Sequence, residues 1–310
     1  MRRAFIRKLT DLVLKNRNIY LLTGDLGFSV FDEFKEKFPD NYINMGVSEA
    51  NMIGVAAGMA MNSKIVFVYS IIPFITFRCL EQIRNDLCLQ NLPVKIIGVG
   101  EGLSYGTSGP THHAIEDIGV MSSLPNLVVI SPGDPIEVEK IIEQSLELNS
   151  PCYIRLGKSG EQNINSPEVN LEIGKGNVIK KGKDIAILST GNMLSIAVEV
   201  SNALEEEGVD SMVVSLHTIK PLDEDLLRDI STYIKYIFIL EEHITSCGLG
   251  GRIAFFYSKE NIKVDLTFIG LPDDFVTLVG NQEFLRKTYE LDVKSIKSKI
   301  MLKIKNVGLR

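Results

Sequence analysis

The chain has 310 residues, of which 45% are hydrophobic and 23% charged, with 25 glycines and 11 prolines. These are globular proportions and exclude a disordered, collagen-like or coiled-coil chain, and no run of about 18 uncharged apolar residues offers a membrane span. A net charge of −6 without a compensating Lys/Arg cluster argues against a nucleic-acid partner.

The length suits two domains. The opening MRRAFIRK is basic but lacks the apolar core of a signal peptide, and reads as the first turn of a helix. Ile19–Thr23 reads as a strand that ends in the turn Gly24-Asp25. Residues 49–61, rich in Ala, Gly and Met, read as a buried helix, and 64–69 as a strand followed by an exit loop at Pro73. Helical spacing places Leu80, Ile83 and Leu87 on one face of a helix over 76–90. A strand at 94–99 and an amphipathic helix at 135–148 complete the first half. Continuous apolar strands alternating with helices predict a mostly parallel sheet covered on both faces.

Residues 158–182 are polar, rich in Asn, Gly and Lys, and aperiodic. They predict a linker over 161–182 between a first domain at 1–160 and a second at 183–310. The alternation resumes with strands at 184–189, 211–215 and 236–240 and helices at 194–207 and 223–233. The second domain is therefore expected to be a smaller α/β domain. Four scattered cysteines, Cys79, Cys88, Cys152 and Cys247, form no C-x-x-C pair and fit thiols in a reducing cytosol.

Four segments carry candidate chemistry. In 44–60, Glu49 opens a helix that is otherwise small and apolar. It reads either as a first-turn charge behind a Ser48 cap or as a buried carboxylate held against a ligand nitrogen. The pair Gly54/Gly58 would allow close helix packing. In 106–117, His112 and His113 follow a Gly/Pro-rich loop and open a predicted helix. That loop leaves a strand end, where α/β proteins bind ligands, and consecutive imidazoles point in different directions. Thr23–Gly27 is an ordinary turn or a ligand loop, and Phe74 and Phe77 are core or stacking aromatics. No segment is specific alone, and no Walker loop, G-x-G-x-x-G, G-x-S-x-G or H-E-x-x-H motif is present.

Taken together and in order, the segments resemble one family. TGDLG (23–27), INMGVSEANMIGVAAGMA (43–60), FITFRCLEQIRND (74–86), GPTHHAIEDIG (109–119), SPGDPIEVE (131–139) and SPCYIRLGK (150–158) are similar to the pyrimidine-binding domain of thiamine diphosphate enzymes of the transketolase and deoxyxylulose-phosphate synthase group. SLHTIKPLD (215–223) and LEEHITSCGLGGRIA (240–254) resemble that family's C-terminal domain. The Gly-Asp-Gly…Asn motif that holds metal and diphosphate in single-chain members is missing. The chain thus resembles the C-terminal subunit of a split transketolase.

The resemblance implies thiamine diphosphate as cofactor, with Mg2+ or Ca2+ held by a separate N-terminal subunit, an assembly of two copies of each chain, and sugar phosphates as substrates. It implies that Glu49 bonds the pyrimidine N1′, that Phe74 or Phe77 stacks on that ring, and that Asp25 lies beside the cofactor. It places His112 on the donor sugar's hydroxyls, with His113, Ser29 and Ser108 as further substrate contacts. Three positions depart from the usual transketolase: Gly100 replaces a His, Ser108 an acidic residue and Ser131 a phosphate-binding Arg. An unusual or modified sugar is therefore expected. Deoxyxylulose-phosphate synthase-like condensation and a 2-oxo-acid dehydrogenase β subunit stay open as alternative activities.

Overall fold

A computed structural model describes residues 1–27 and 29–309. Its strands, in chain order, are β1 (Ile19–Thr23), β2 (Tyr42–Asn44), β3 (Ile65–Ile71), β4 (Lys95–Val99), β5 (Val128–Ile130), β6 (Cys152–Leu156), β7 (Asn177–Lys180), β8 (Ile185–Ser189), β9 (Ser211–Ser215), β10 (Thr218–Lys220), β11 (Tyr236–Ile244) and β12 (Asp265–Leu271). They form a seven-stranded sheet in the order β10-β5-β6-β4-β3-β1-β2 and a five-stranded sheet in the order β12-β11-β8-β9-β7. Within the first sheet β1 to β6 pair in parallel, and within the second β8, β9, β11 and β12 do. The two-domain, mostly parallel architecture follows from strands such as β4, β6 and β8, buried along their whole length.

Each sheet carries one antiparallel edge. β7 pairs with β9, so the polar run read as a linker already contains an edge strand of the second sheet. Its half-buried pattern hides it from a periodicity reading. β10 leaves the second domain and pairs antiparallel with β5 of the first sheet. One apolar cluster is also common to both domains: Met52, Ile53 and Ile72 join Leu188, Val214 and Ile237 in it.

The helix at Glu49–Met61 forms as its composition predicts, with Met52, Ile53, Ala56 and Ala57 buried. Its other face is open: Gly54 and Gly58 are exposed, and a Cβ at either would touch nothing within 4 Å. They pack against none of the described residues outside their own helix. The helix expected over 76–90 is broken. A short helix at Ile72–Ile75 carries Pro73 in its first turn, residues 76–79 form a turn, and helix resumes at Leu80–Gln82 with a wider π-type stretch over Ile83–Cys88. The histidine segment is also not helical. Residues 109–116 are irregular, and the following helix spans Asp117–Ser122. Gly109 sits at φ 77°, left-handed backbone that favours glycine and excludes a helix start there.

Candidate active site

The site lies at the carboxyl ends of β1, β3 and β4, where parallel sheets place their ligand loops. After β1 the chain turns sharply, with Asp25 in left-handed backbone at φ 55°. The Asn44 side-chain amide donates to Asp25 Oδ1 at 2.8 Å, and Asn44 Oδ1 accepts from the Asp25 backbone N–H at 3.1 Å. These two hydrogen bonds to the end of β2 fix the turn with the Asp25 carboxylate exposed.

Glu49 begins the helix after β2 and is 1% exposed. The Ser48 hydroxyl donates to the Met45 carbonyl at 2.6 Å and does not cap the helix. Glu49 is thus more than a solvated first-turn charge. Ser70 Oγ, near the end of β3, donates to Glu49 Oε1 at 3.0 Å. Arg78 Nη1, from the turn at 76–79, donates to Oε2 at 2.7 Å. Gly24 closes over the same carboxyl: a Cβ there would lie 3.1 Å from Oε1. Any larger residue would push on the acid.

Beside this carboxyl stands a chain of ring contacts. The Arg78 guanidinium lies 4.8 Å from the Phe74 ring centroid. Phe74 meets His112 edge-on at 5.1 Å, and His112 lies 6.2 Å from Tyr105. Tyr105 in turn carries Lys158 Nζ 4.5 Å from its ring centre. Gly100 makes room for that tyrosine, since a Cβ there would lie 2.2 Å from two Tyr105 ring carbons. The structure therefore brings Glu49, Phe74 and His112 together. Phe77 is exposed and belongs to none of these ring contacts.

The two histidines diverge. His112 is half-buried, with Nδ1 3.0 Å from Thr111 Oγ1. His113 is 3% exposed, and neither ring nitrogen makes a hydrogen bond of normal geometry. Burial holds its pKa below the ordinary imidazole value, and its electrostatic neighbours include Glu242 of the second domain. His113 thus faces the domain junction, which does not suit the substrate contact expected of it. Ser108 is exposed in the short turn Gly106–Ser108. Ser29 is exposed and lines a different cleft of about 720 Å3 with Arg2, Arg3, Arg7 and Lys158. Ser131 is fully buried, its hydroxyl 3.5 Å from Glu101 Oε2. Another cleft, of about 740 Å3 beside Lys220 and Arg252, shares no residue with the Glu49 cluster.

Sequence reasoning missed a second set of ionisable groups, at the domain junction. Arg155 on β6 donates to Asp117 Oδ2 at 2.9 Å, Glu101 Oε2 at 3.2 Å and the Ala114 carbonyl at 2.7 Å. Tyr153 donates to the same Asp117 oxygen at 2.7 Å. From the second domain, the Asn192 backbone N–H donates to Glu101 Oε1 at 3.0 Å. Glu242 there accepts from Arg286 and Gln282. Burial pushes the pKa of Glu101 up to about 8, against the pull of Arg155. Strand periodicity marks Arg155 only as a charge within an apolar run, and nothing local names its partners.

These residues suit the aminopyrimidine half of thiamine diphosphate: a buried carboxyl anchored on its inner side, a ring face at Phe74 and a glycine at the close approach. Among the described residues, no group of three or more His, Cys, Asp or Glu is arranged to hold a metal ion. No described helix is long and apolar enough to cross a membrane.

Residues 1–161 match the transketolase pyrimidine-binding domain, and residues 174–296 match the transketolase C-terminal domain. The chain belongs to the transketolase family. A putative transketolase C-terminal section from Methanocaldococcus jannaschii is 35% identical over 308 residues, covering 98% of this chain and 96% of that one. An apulose-4-phosphate transketolase subunit from Actinobacillus succinogenes is 32% identical over 85% of each chain. A solved split-gene transketolase, an inactive beta4 tetramer, superposes with a TM-score of 0.89 at 34% identity, covering 97% of this chain and 96% of that one. The chain is accordingly a transketolase-type subunit comprising the pyrimidine-binding and C-terminal domains, in a family that uses thiamine diphosphate.

Proposed function

We propose that this chain is the pyrimidine-holding half of a two-chain transketolase, active only with a separate subunit that binds diphosphate and metal, Mg2+ or Ca2+. The observation that carries the reading is the burial of Glu49, whose carboxyl is 1% exposed and which the motif resemblance matches to the family's pyrimidine-binding glutamate. When bound, thiamine diphosphate supplies the nucleophilic carbon for ketol transfer.

The chain's own residues hold and tune that group. Glu49 keeps a proton at the pyrimidine N1′, Ser70 fixes Oε1, and the apolar helix behind Glu49 excludes water. Phe74 offers the stacking face, Phe77 its outer edge, and Asp25 borders the cofactor from the β1 turn. His112 meets the donor hydroxyls, while Ser29 and Ser108 contact substrate further out. An imidazole suits that place because it donates or accepts near neutral pH.

The substrates are sugar phosphates that move a two-carbon ketol unit. The relative from A. succinogenes acts on apulose-4-phosphate, by its name. Gly100, Ser108 and Ser131 likewise support a sugar outside the usual pentose phosphates. A first domain over 1–160 and a second that begins at β7 rather than at 183 fit this reading. Four cysteines outside any disulfide suit the cytoplasm.

The deciding experiment mixes the purified chain with its companion subunit. Ketol transfer is expected only in the mixture, from an assembly of two copies of each chain. Tight, metal-dependent thiamine diphosphate binding by this chain alone, measured by calorimetry, overturns the split reading.

A further inference from the structure

The ion pair between Arg78 and Glu49 plays no part in the role given to Glu49 above. The carboxyl is closed on its inner side, where Ser70 holds Oε1 at 3.0 Å and Gly24 lies against the same oxygen. Oε2 is taken by Arg78 Nη1 at 2.7 Å. The Arg78 side chain is 48% exposed and that of Glu49 1%. The guanidinium therefore stands between the acid and solvent.

An ion pair requires Glu49 as a carboxylate. Sharing a proton with a ring nitrogen requires a carboxyl oxygen that is open to the ring. Oε2 cannot serve both in one arrangement, and Oε1 is already bonded from within. Arg78 is the partner that can move. It sits in the turn at 76–79 rather than in a helix, and its side chain is already 48% exposed, so solvent can take the cation when the pair opens. An ion pair open to water on one side is also weak enough to exchange.

Resting on the reading that a pyrimidine seats on Glu49, we propose that Arg78 is a displaceable cover. It pairs with Glu49 in the free chain and, when the aminopyrimidine arrives, leaves both Oε2 and the Phe74 face to the ring and swings out to solvent. Arg78 is then a positioning residue, and its displacement lowers the apparent affinity for cofactor by the fraction of chains still covered.

The test measures thiamine diphosphate affinity by calorimetry, and the association rate by stopped flow, in the complex of this chain with its companion subunit. Arg78→Gln is expected to tighten binding about two- to tenfold and to speed association. The same change in a Glu49→Gln background is expected to have no effect, because the cover acts only through the charged acid. Arg78→Lys keeps a cation and should lie between; it serves as the test if the Gln variant does not fold. Unchanged or weaker binding by Arg78→Gln overturns the cover, weaker binding marking Arg78 as a cofactor ligand. An equal effect with and without the Glu49 charge also overturns it. If the wild-type complex binds no thiamine diphosphate, the two-chain transketolase reading fails and this proposal with it.

Discussion

Glu49 and Glu101 are both buried carboxylates beside an arginine, yet the Arg78 side chain is 48% exposed and that of Arg155 only 2%. Arg155 also donates to Asp117 and to the Ala114 carbonyl. Removing Arg155 from that junction leaves the buried Asp117 without its cation, which costs far more than losing a surface pair. Around Glu49 the inner oxygen is fixed and the outer one is held by a group with somewhere else to go. Equal burial therefore marks two different jobs. The junction welds β6 to the second domain, and the Glu49 site keeps one replaceable ligand.

Mutation separates the two most sharply. Glu49→Gln should lower kcat of the two-chain enzyme by about 10²–10⁴, the scale of a lost proton-transfer partner, while the unfolding midpoint barely moves. Wild-type kcat in this variant would remove Glu49 from the mechanism. Arg155→Met should instead destabilise the chain by about 3–5 kcal/mol in denaturant titration, since the buried Asp117 loses its cation. A loss under about 1 kcal/mol would show that the junction is no weld.

Smaller effects sharpen the contrast between neighbours. His112→Ala should lower kcat/KM about tenfold, the scale of one or two lost substrate hydrogen bonds, with cofactor affinity kept. His113→Ala should act mainly on stability, because its ring is buried toward the domain junction. If His113→Ala proves kinetically worse, the loop presents the other imidazole to substrate. Gly24→Ala should cost activity and little stability, since its methyl would press on the Glu49 carboxyl.

Much of this was legible in the sequence. Apolar runs marked the strands, and the small residues of 49–61 marked the helix that starts at Glu49. The ordered motifs identified the family and brought Glu49, Phe74 and His112 forward as candidates. What escaped is long-range. β10 pairs with β5 across the domains, and three residues carry no period. The Arg78–Glu49 pair spans 29 positions and the Arg155–Glu101 pair 54. The broken helix at 76–79 escaped because Leu80, Ile83 and Leu87 keep helical spacing whether or not the first turn forms. The helix expected at His112 is absent because Ala114 instead exchanges backbone hydrogen bonds with Gly102, 12 positions away.

The last effect to measure is the proton balance of the buried carboxyls. Burial pushes Glu101 and Glu241 up to about 8 and Glu137 to about 7. The unfolded chain releases these protons near 4.5, so between 4.5 and 8 the folded state holds more protons and stability falls as pH rises. Burial also pushes His217 and His243 down to about 4, against an ordinary 6.5. Those rings lose stability in the opposite direction, as pH falls from 6.5 to 4, because the unfolded chain then binds protons that the folded one refuses. The two trends oppose each other between 4.5 and 6.5. Above 6.5 only the carboxylates remain, and stability should fall by about 1 kcal/mol per pH unit for each proton retained. Urea midpoints at pH 6.5 and 8 read this directly, and Glu241→Gln should reduce the slope. A flat profile would mean that Glu101 and Glu241 are ionised in the folded chain. The buried carboxyls would then be fully charged rather than a store of protons.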